Sequence, residues 1–386
     1  MSGDWQKIQS ETIDWLRPVL AFMVVGLHVR QYYTDGTEIF SEGWYEASTI
    51  MIFRVLFSVA VPAFFLISGY LFFKKLEDWN TDVWLAKIKK RGATLLVPYL
   101  LWNLIAICGF LITRTAGHFI KGNEPVDMVA LLNERGWFRL FWDRCLFGDL
   151  RPEQINLFGI SVSSGAPMDE PAWFLRDLMV VVLLSPLIYF MVKKAGKLFL
   201  ILVGLLYSVD LWIPYPGFSS KAFFMFSLGA WLCINRINMS EFFSKHFKIQ
   251  LFLSALLLIV TSVSFNVNEW IYCITSRLFV LCAIPLFFNL CAALSEKHSP
   301  VGALSKSSFF VYMAHMVLVV DAVNWLITLL LHPANNVLNF ASLVLGTVLV
   351  YAICHCIYLI MNKFMPKMLA VLTGGRIVAN NRISDK

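Results

Sequence analysis

Charged and imidazole side chains are scarce in the apolar stretches of this sequence. Those that occur there are Asp14, Arg17, His28, Arg54, Arg176, Asp177, Asp210, Arg277, His315, Asp321 and His355. Inside a bilayer such groups are costly and generally face the protein interior. Asp14, Asp177, Asp210 and His355 lie near the ends of their stretches and can snorkel to water. Arg17, His28, Arg54, Arg277 and His315 lie deeper and need partners or a purpose. Arginine can grip a phosphate through two parallel hydrogen bonds. Histidine is the side chain best suited to take a proton near neutral pH. The residue types therefore suggest anion binding combined with proton transfer.

Arg17 and His28 are eleven positions apart in one apolar stretch. On an α-helix that spacing is three turns plus about 20°, so both fall on one face, about 16 Å apart along the axis. Two polar groups on one face can line a passage from its two ends. Purely structural pairing would give the same spacing, and geometry alone leaves both readings open.

The elements that must carry these residues follow from composition. Hydrophobic residues make up 58 % of the 386 and charged residues 15 %, with a mean hydropathy of +0.68. A soluble domain is about 25 % charged, so a water-soluble fold is excluded. A spanning helix needs about 20 apolar residues. Ten stretches qualify: 12–33, 48–73, 93–113, 171–192, 198–213, 218–235, 249–265, 270–294, 307–331 and 338–362. The expected fold is an all-α, polytopic transmembrane bundle of about ten spans, forming one domain over 1–386. Residues 114–170 form a long loop, and its aromatic, charged part at 126–149 is expected to hold an interfacial amphipathic helix.

Lysine and arginine set the orientation. With both termini cytoplasmic, the inner loops hold Lys74, Lys87, Lys89, Lys90, Arg91, Lys193, Lys194, Lys363 and Arg376, among others, while the short outer loops hold only Arg30 and Lys221. The net charge of +7 is thus a topology signal, and no nucleic-acid partner is expected. The first apolar run lacks a small-residue cleavage site and is expected to stay as a span. Eight cysteines without metal spacing are expected to be small buried hydrophobes. No metal is expected. The absence of an internal repeat speaks modestly against the rival reading of a secondary transporter for a small polar or anionic solute.

Several motifs, in order along nearly the whole chain, point further. They are Ile13-Asp14-Trp15-Leu16-Arg17 followed by His28, and Phe64-Phe65-Leu66-Ile67-Ser68-Gly69-Tyr70. Next come Lys90-Arg91 before Leu95-Leu96-Val97-Pro98-Tyr99, and Trp173-Phe174-Leu175-Arg176. The last is Ser308-Phe309-Phe310-Val311-Tyr312-Met313-Ala314-His315. Together they resemble the acyltransferase-3 family of membrane O-acyltransferases. The basic pair here is Lys-Arg, where the family often shows two arginines.

The resemblance implies a multi-pass enzyme of the bacterial cytoplasmic (inner) membrane. It implies transfer of an acyl group, expected to be acetyl, from a cytoplasmic acyl-CoA to a hydroxyl of an extracytoplasmic glycan or small molecule. His28 is then expected as general base; Asp169, Glu170 and Asp177 lie at a similar depth at the outer end of the fourth span, and of these carboxylates Glu170 is favoured to orient it. Arg17, Lys90, Arg91, Ser68 and Tyr70 are expected on the acetyl-CoA side, and Trp173, Arg176 and His315 beside the acceptor. Membrane lipid is the expected surrounding partner.

Overall fold

The computed structural model describes residues 2–34, 43–74, 76, 78–121, 138–143, 154–155, 161–162, 165–213, 215–300, 302–332 and 335–377. Helix dominates them. The first helix, α1 (Ser2–Thr34), runs through Pro18 without a break and starts ten residues earlier than its apolar stretch. It is followed by α2 (Trp44–Thr49), a π-helical stretch (Ile50–Val55), a short 3-10 turn (Leu56–Val59) and α3 (Ala60–Phe73). The amphipathic α4 (Thr81–Arg91) leads through a second π-helical stretch (Gly92–Leu96) into α5 (Val97–Lys121).

Of the long connection, the described parts are α6 (Phe138–Trp142), a pair of two-residue antiparallel strands (Gln154–Ile155 and Ser161–Val162) and the approach to the next span. The expected interfacial helix at 126–149 otherwise lies outside the described residues.

A 3-10 turn (Glu170–Ala172) opens α7 (Trp173–Leu183), and α8 (Ser185–Ser208) follows at an angle of 60°. Pro186 at the start of α8 has no N–H to donate back into α7, which accounts for the bend. Gly196, at φ 51° and ψ −121°, breaks α8 again between Lys194 and Lys197. Only a residue without a Cβ adopts that conformation cheaply. Next come α9 (Ser220–Ile234), α10 (Met239–Ser244), α11 (Phe247–Ser264), α12 (Glu269–Lys297) and α13 (Gly302–Ala314). A third π-helical stretch (His315–Val319) leads to α14 (Val320–Leu331), α15 (Asn336–Phe364) and α16 (Pro366–Thr373). Side chains cap five of these starts: Asn80, Ser219, Asn238, Asn268 and Asn335 each accept a backbone N–H three residues on, as N-caps do.

Among the described residues, six helices are long and apolar enough to cross a membrane, and eight if each of two bent pairs is one span. The ten expected stretches are not all matched by such helices. The stretch at 198–213 is the short second arm of α8, and α9 is only 15 residues long. Large apolar side chains such as Leu198, Phe252, Ile259 and Leu330 point outward, as on a lipid-facing surface.

Helix α1 is the axis of the bundle and packs on α3, α12, α13 and α15. The tightest crossing is α3 on α9. A Cβ on Gly69 would meet the Phe226 carbonyl, and one on Gly229 the Leu66 carbonyl. Small residues permit such backbone approach in membrane helices.

The cysteines depart from expectation: Cys233, Cys273 and Cys282 are only half-buried, and Cys145 lies outside the described residues. Cys291 and Cys354 are buried, but Cys108 and Cys356 are exposed. Cys356 sits two residues from Cys354 and so turns to the opposite, outward side.

Candidate functional site

Two groups of polar residues lie at different levels of α1, and the expected site residues divide between them.

The first group is built on His28. Its Nδ1 lies 3.0 Å from the Val24 carbonyl and 3.1 Å from Nε2 of His315. The two rings have centroids 4.9 Å apart. His315 is fully buried, at 0 % exposure, and its Nδ1 lies 3.0 Å from the Val311 carbonyl. The protons follow from this network. A carbonyl only accepts, so His315 Nδ1 carries its hydrogen and the Nε2 of the neutral ring is an acceptor. His28 Nδ1 faces two acceptors, Val24 O and His315 Nε2, and must carry the hydrogen it shares between them. A neutral His28 then presents its lone pair at Nε2. This is the tautomer a general base needs.

His315 opens the third π-helical stretch. Such departures from α-helical geometry are frequent at functional positions. Sequence reasoning placed His315 beside the acceptor and sought the partner of His28 among carboxylates. The structure puts His315 itself on His28. Glu170 is buried, at 6 % exposure, in the 3-10 turn before α7. That turn is pinned from two sides: Tyr312 Oη donates to the Pro171 carbonyl at 3.2 Å, and the Asp169 N–H donates to Asn103 Oδ1 at 3.0 Å. Tyr312 is one helical turn before His315, so the carboxylate-bearing turn docks on the helix that carries the second histidine.

Beside this group, Arg176 is deeply buried and bound on several sides. Its Nε and Nη2 face Asp177 Oδ1 at 3.1 and 3.0 Å. Its Nη1 donates to the Trp142 and Gly165 carbonyls at 2.5 and 2.7 Å. The guanidinium thereby ties the long connection to α7. Asp177, expected to reach water, is buried at 2 % exposure in this pair instead. Trp173 packs on Phe65 and carries the Lys221 ammonium over its ring at 5.7 Å. The other deep arginines are accounted for locally. Arg277 pairs with Asp210 at 2.7 Å, and Arg54 lies over the Phe265 ring at 4.1 Å.

The second group lies toward the start of α1. Arg17 Nη1 bonds Asp14 Oδ1 at 2.7 Å, and Asp14 in turn accepts from Ser305 at 3.0 Å. Asp14 thus has a partner inside the bundle rather than only water. Near this level a cavity of about 400 Å³ is lined by Lys74, Lys87, Lys90, Arg91 and Arg376, with Leu71, Phe72, Thr94 and Gly374. Among the described residues, five cations and no carboxylate line it. Lys90 and Arg91, expected on the donor side, are here. Tyr70 hydrogen-bonds the Gln9 side chain, while Ser68 is half-buried on α3 and does not line the cavity. Lys74, Thr94 and Arg376 were not singled out from sequence as site residues. Arg376 read there only as a topology charge, and nothing in the local sequence announces that α16 folds back onto the start of α5.

Among the described residues, no group of three or more His, Cys, Asp or Glu is placed to hold a metal ion. Taken together, the arrangement can hold a polyanion at one level of α1 and take a proton at the other.

Comparison with known proteins gives the family. Residues 10–359 match the family model described as an acyltransferase domain. The chain belongs to that acyltransferase family, and it is a multi-pass membrane protein by its helices. It is also similar to the "Succinoglycan biosynthesis protein ExoH" of Rhizobium meliloti (strain 1021). The two are 27 % identical over 231 residues, which is 59 % of this chain and 55 % of that protein. The chain therefore spans only about half the length of this curated relative. No solved structure matches.

Proposed function

We propose that the protein transfers an acyl group, acetyl by expectation, from an acyl-CoA bound at the basic cavity to a hydroxyl of a glycan or related acceptor reaching His28. The observation that carries this reading is the placement of His28 Nδ1 between the Val24 carbonyl and His315 Nε2, which favours the tautomer with its lone pair at Nε2. His28 Nε2 takes the hydroxyl proton as the oxygen bonds to the thioester carbonyl carbon. The carbon–sulfur bond breaks, and the proton passes to the departing thiolate, which leaves as the thiol of CoA. The polyanionic end of CoA suits the five cations of the cavity. The acyl-bearing arm then extends along α1 toward His28. Family membership supports the acyl transfer, and the relative named for succinoglycan biosynthesis supports a polysaccharide as acceptor.

In this reading the basic end faces the cytoplasm and the His28 end faces outward, with both termini cytoplasmic and the protein in a bacterial inner membrane. Replacing His28 by Ala, with membrane insertion confirmed, should lower incorporation of labelled acetyl into surface glycan by about a hundredfold or more. Undiminished incorporation rejects His28 as the base.

A further inference from the structure

The basic cavity is closed on one side by the segment that follows α16, which sequence reasoning left unassigned. After Thr373 the chain turns through Gly374 (φ 60°) and Gly375 (φ 86°), both left-handed, and delivers Arg376 to the cavity wall. This strap is anchored at several points. Trp102 Nε1 donates to the Leu372 carbonyl at 3.0 Å, and Tyr358 Oη donates to the Arg376 carbonyl at 3.0 Å. A Cβ on Gly374 would run into the Thr94 backbone. Thr94 lies four residues before Pro98, which has no N–H to give the Thr94 carbonyl in the usual helical pattern. The Arg376 guanidinium faces that carbonyl at 3.5 Å, donates to the Thr373 carbonyl at 2.6 Å and stacks on Phe309 at 4.3 Å.

What surrounds Arg376 is unusual for an arginine in a wall. Among the described residues its charged neighbours are other cations, Arg91 and Arg17. Burial, and then these two guanidiniums, push its pKa down to about 10. No salt bridge to a carboxylate is formed by Arg376 or Arg91 among the described residues. Like charges gathered at a wall where Arg91 and Arg376 are half-buried repel one another and favour a bound counter-charge, and an arginine held flat by a ring below it presents its remaining N–H groups edge-on. Such a fork fits phosphate.

We infer that Arg376 is a donor-binding residue: the Gly374–Gly375–Arg376 strap completes the basic cavity, and its guanidinium grips a phosphate of the acyl-CoA and so selects phosphorylated donors over bare thioesters. This rests on the donor reading above.

The test uses the full-length protein in detergent, titrated with CoA, with pyrophosphate and with S-acetylpantetheine, which has the thioester arm and no phosphate. Arg376→Gln should weaken CoA binding roughly tenfold or more, the weight of a charge-assisted contact. It should leave S-acetylpantetheine binding unchanged. Arg376→Lys, which keeps the charge and loses the fork, should fall between. Gly374→Ala should act in the same direction as Arg376→Gln with Arg376 intact, because it dislodges the strap. A melting curve for each variant shows that it is folded.

Equal CoA affinity in wild type and a folded Arg376→Gln overturns the inference. So does an equal loss for CoA and S-acetylpantetheine. If the wild type binds pyrophosphate in an Arg376-dependent way but not CoA, the anion site stands and the donor reading fails. If it binds neither, both fall.

Discussion

Two histidines in hydrogen-bond contact constrain one another more than either does alone. If both rings were protonated, two N–H donors would face each other 3.1 Å apart. The bond between them requires one lone pair, and Val311 fixes it on His315. In the proposed reading His315 is therefore a positioning residue: it holds the proton of His28 on Nδ1 and leaves Nε2 as the basic atom. Replacing His315 by Phe removes the acceptor while filling a similar volume. The turnover rate should fall roughly tenfold, about the weight of one such hydrogen bond, with the KM for the acyl donor unchanged. Gln, whose carbonyl oxygen can accept from Nδ1–H, should recover part of the loss. A structural role alone would depress Phe and Gln variants alike, and steady-state kinetics on both separates the cases. The Glu170 role remains a proposal at the same scale, and a Glu170→Gln variant read in that assay addresses it.

Elements carry the polar groups to one another, and here the value of sequence reading is uneven. The apolar lengths and the Asn and Ser caps are local, so most helices were legible from the chain. The shared face of Arg17 and His28 was also legible, because one helix holds both. What was not legible depends on helices distant in sequence. His315 reaches His28 from 287 positions away, and its late motif looked like an acceptor contact. Asp177 and Asp210 looked like residues at span ends, yet each has an arginine waiting on it. Only the three-dimensional meeting decides whether a charge near a span end snorkels or pairs.

The α3–α9 crossing is a similar case. Gly69 was visible within a motif, but its partner Gly229 acquires meaning only when the two backbones touch. Gly229→Val should cost about 1–3 kcal/mol through overpacking against a backbone that cannot yield like a side chain. The thermal midpoint in detergent should drop by several degrees. Since Leu71 and Phe72 of α3 line the basic cavity, CoA affinity should weaken with it. An unchanged midpoint would show that the crossing is looser than the geometry states.

At the scale of the whole molecule, the two groups define a direction. The cavity with its five cations lies near the Arg17 level of α1, and His28 lies about 16 Å beyond Arg17 along the same helix. A soluble enzyme would gain nothing from separating donor site and base in this way. In a bundle whose outward apolar surface requires lipid, the separation lets a donor on one side react with an acceptor on the other. Acyl transfer should then be sided. In sealed inside-out vesicles, acetyl-CoA added to the bath should be consumed in the presence of acceptor enclosed in the lumen. In right-side-out vesicles the same addition should yield no transfer until the membrane is opened with detergent. Because exposed Lys74 and Lys90 are among the five cations lining the cavity, donor affinity in the productive orientation should also fall as salt rises from about 0.05 to 0.5 M, where screening shortens the reach of surface charge. Transfer from the right-side-out bath in intact vesicles would refute the direction assigned to the bundle, whatever the chemistry at His28.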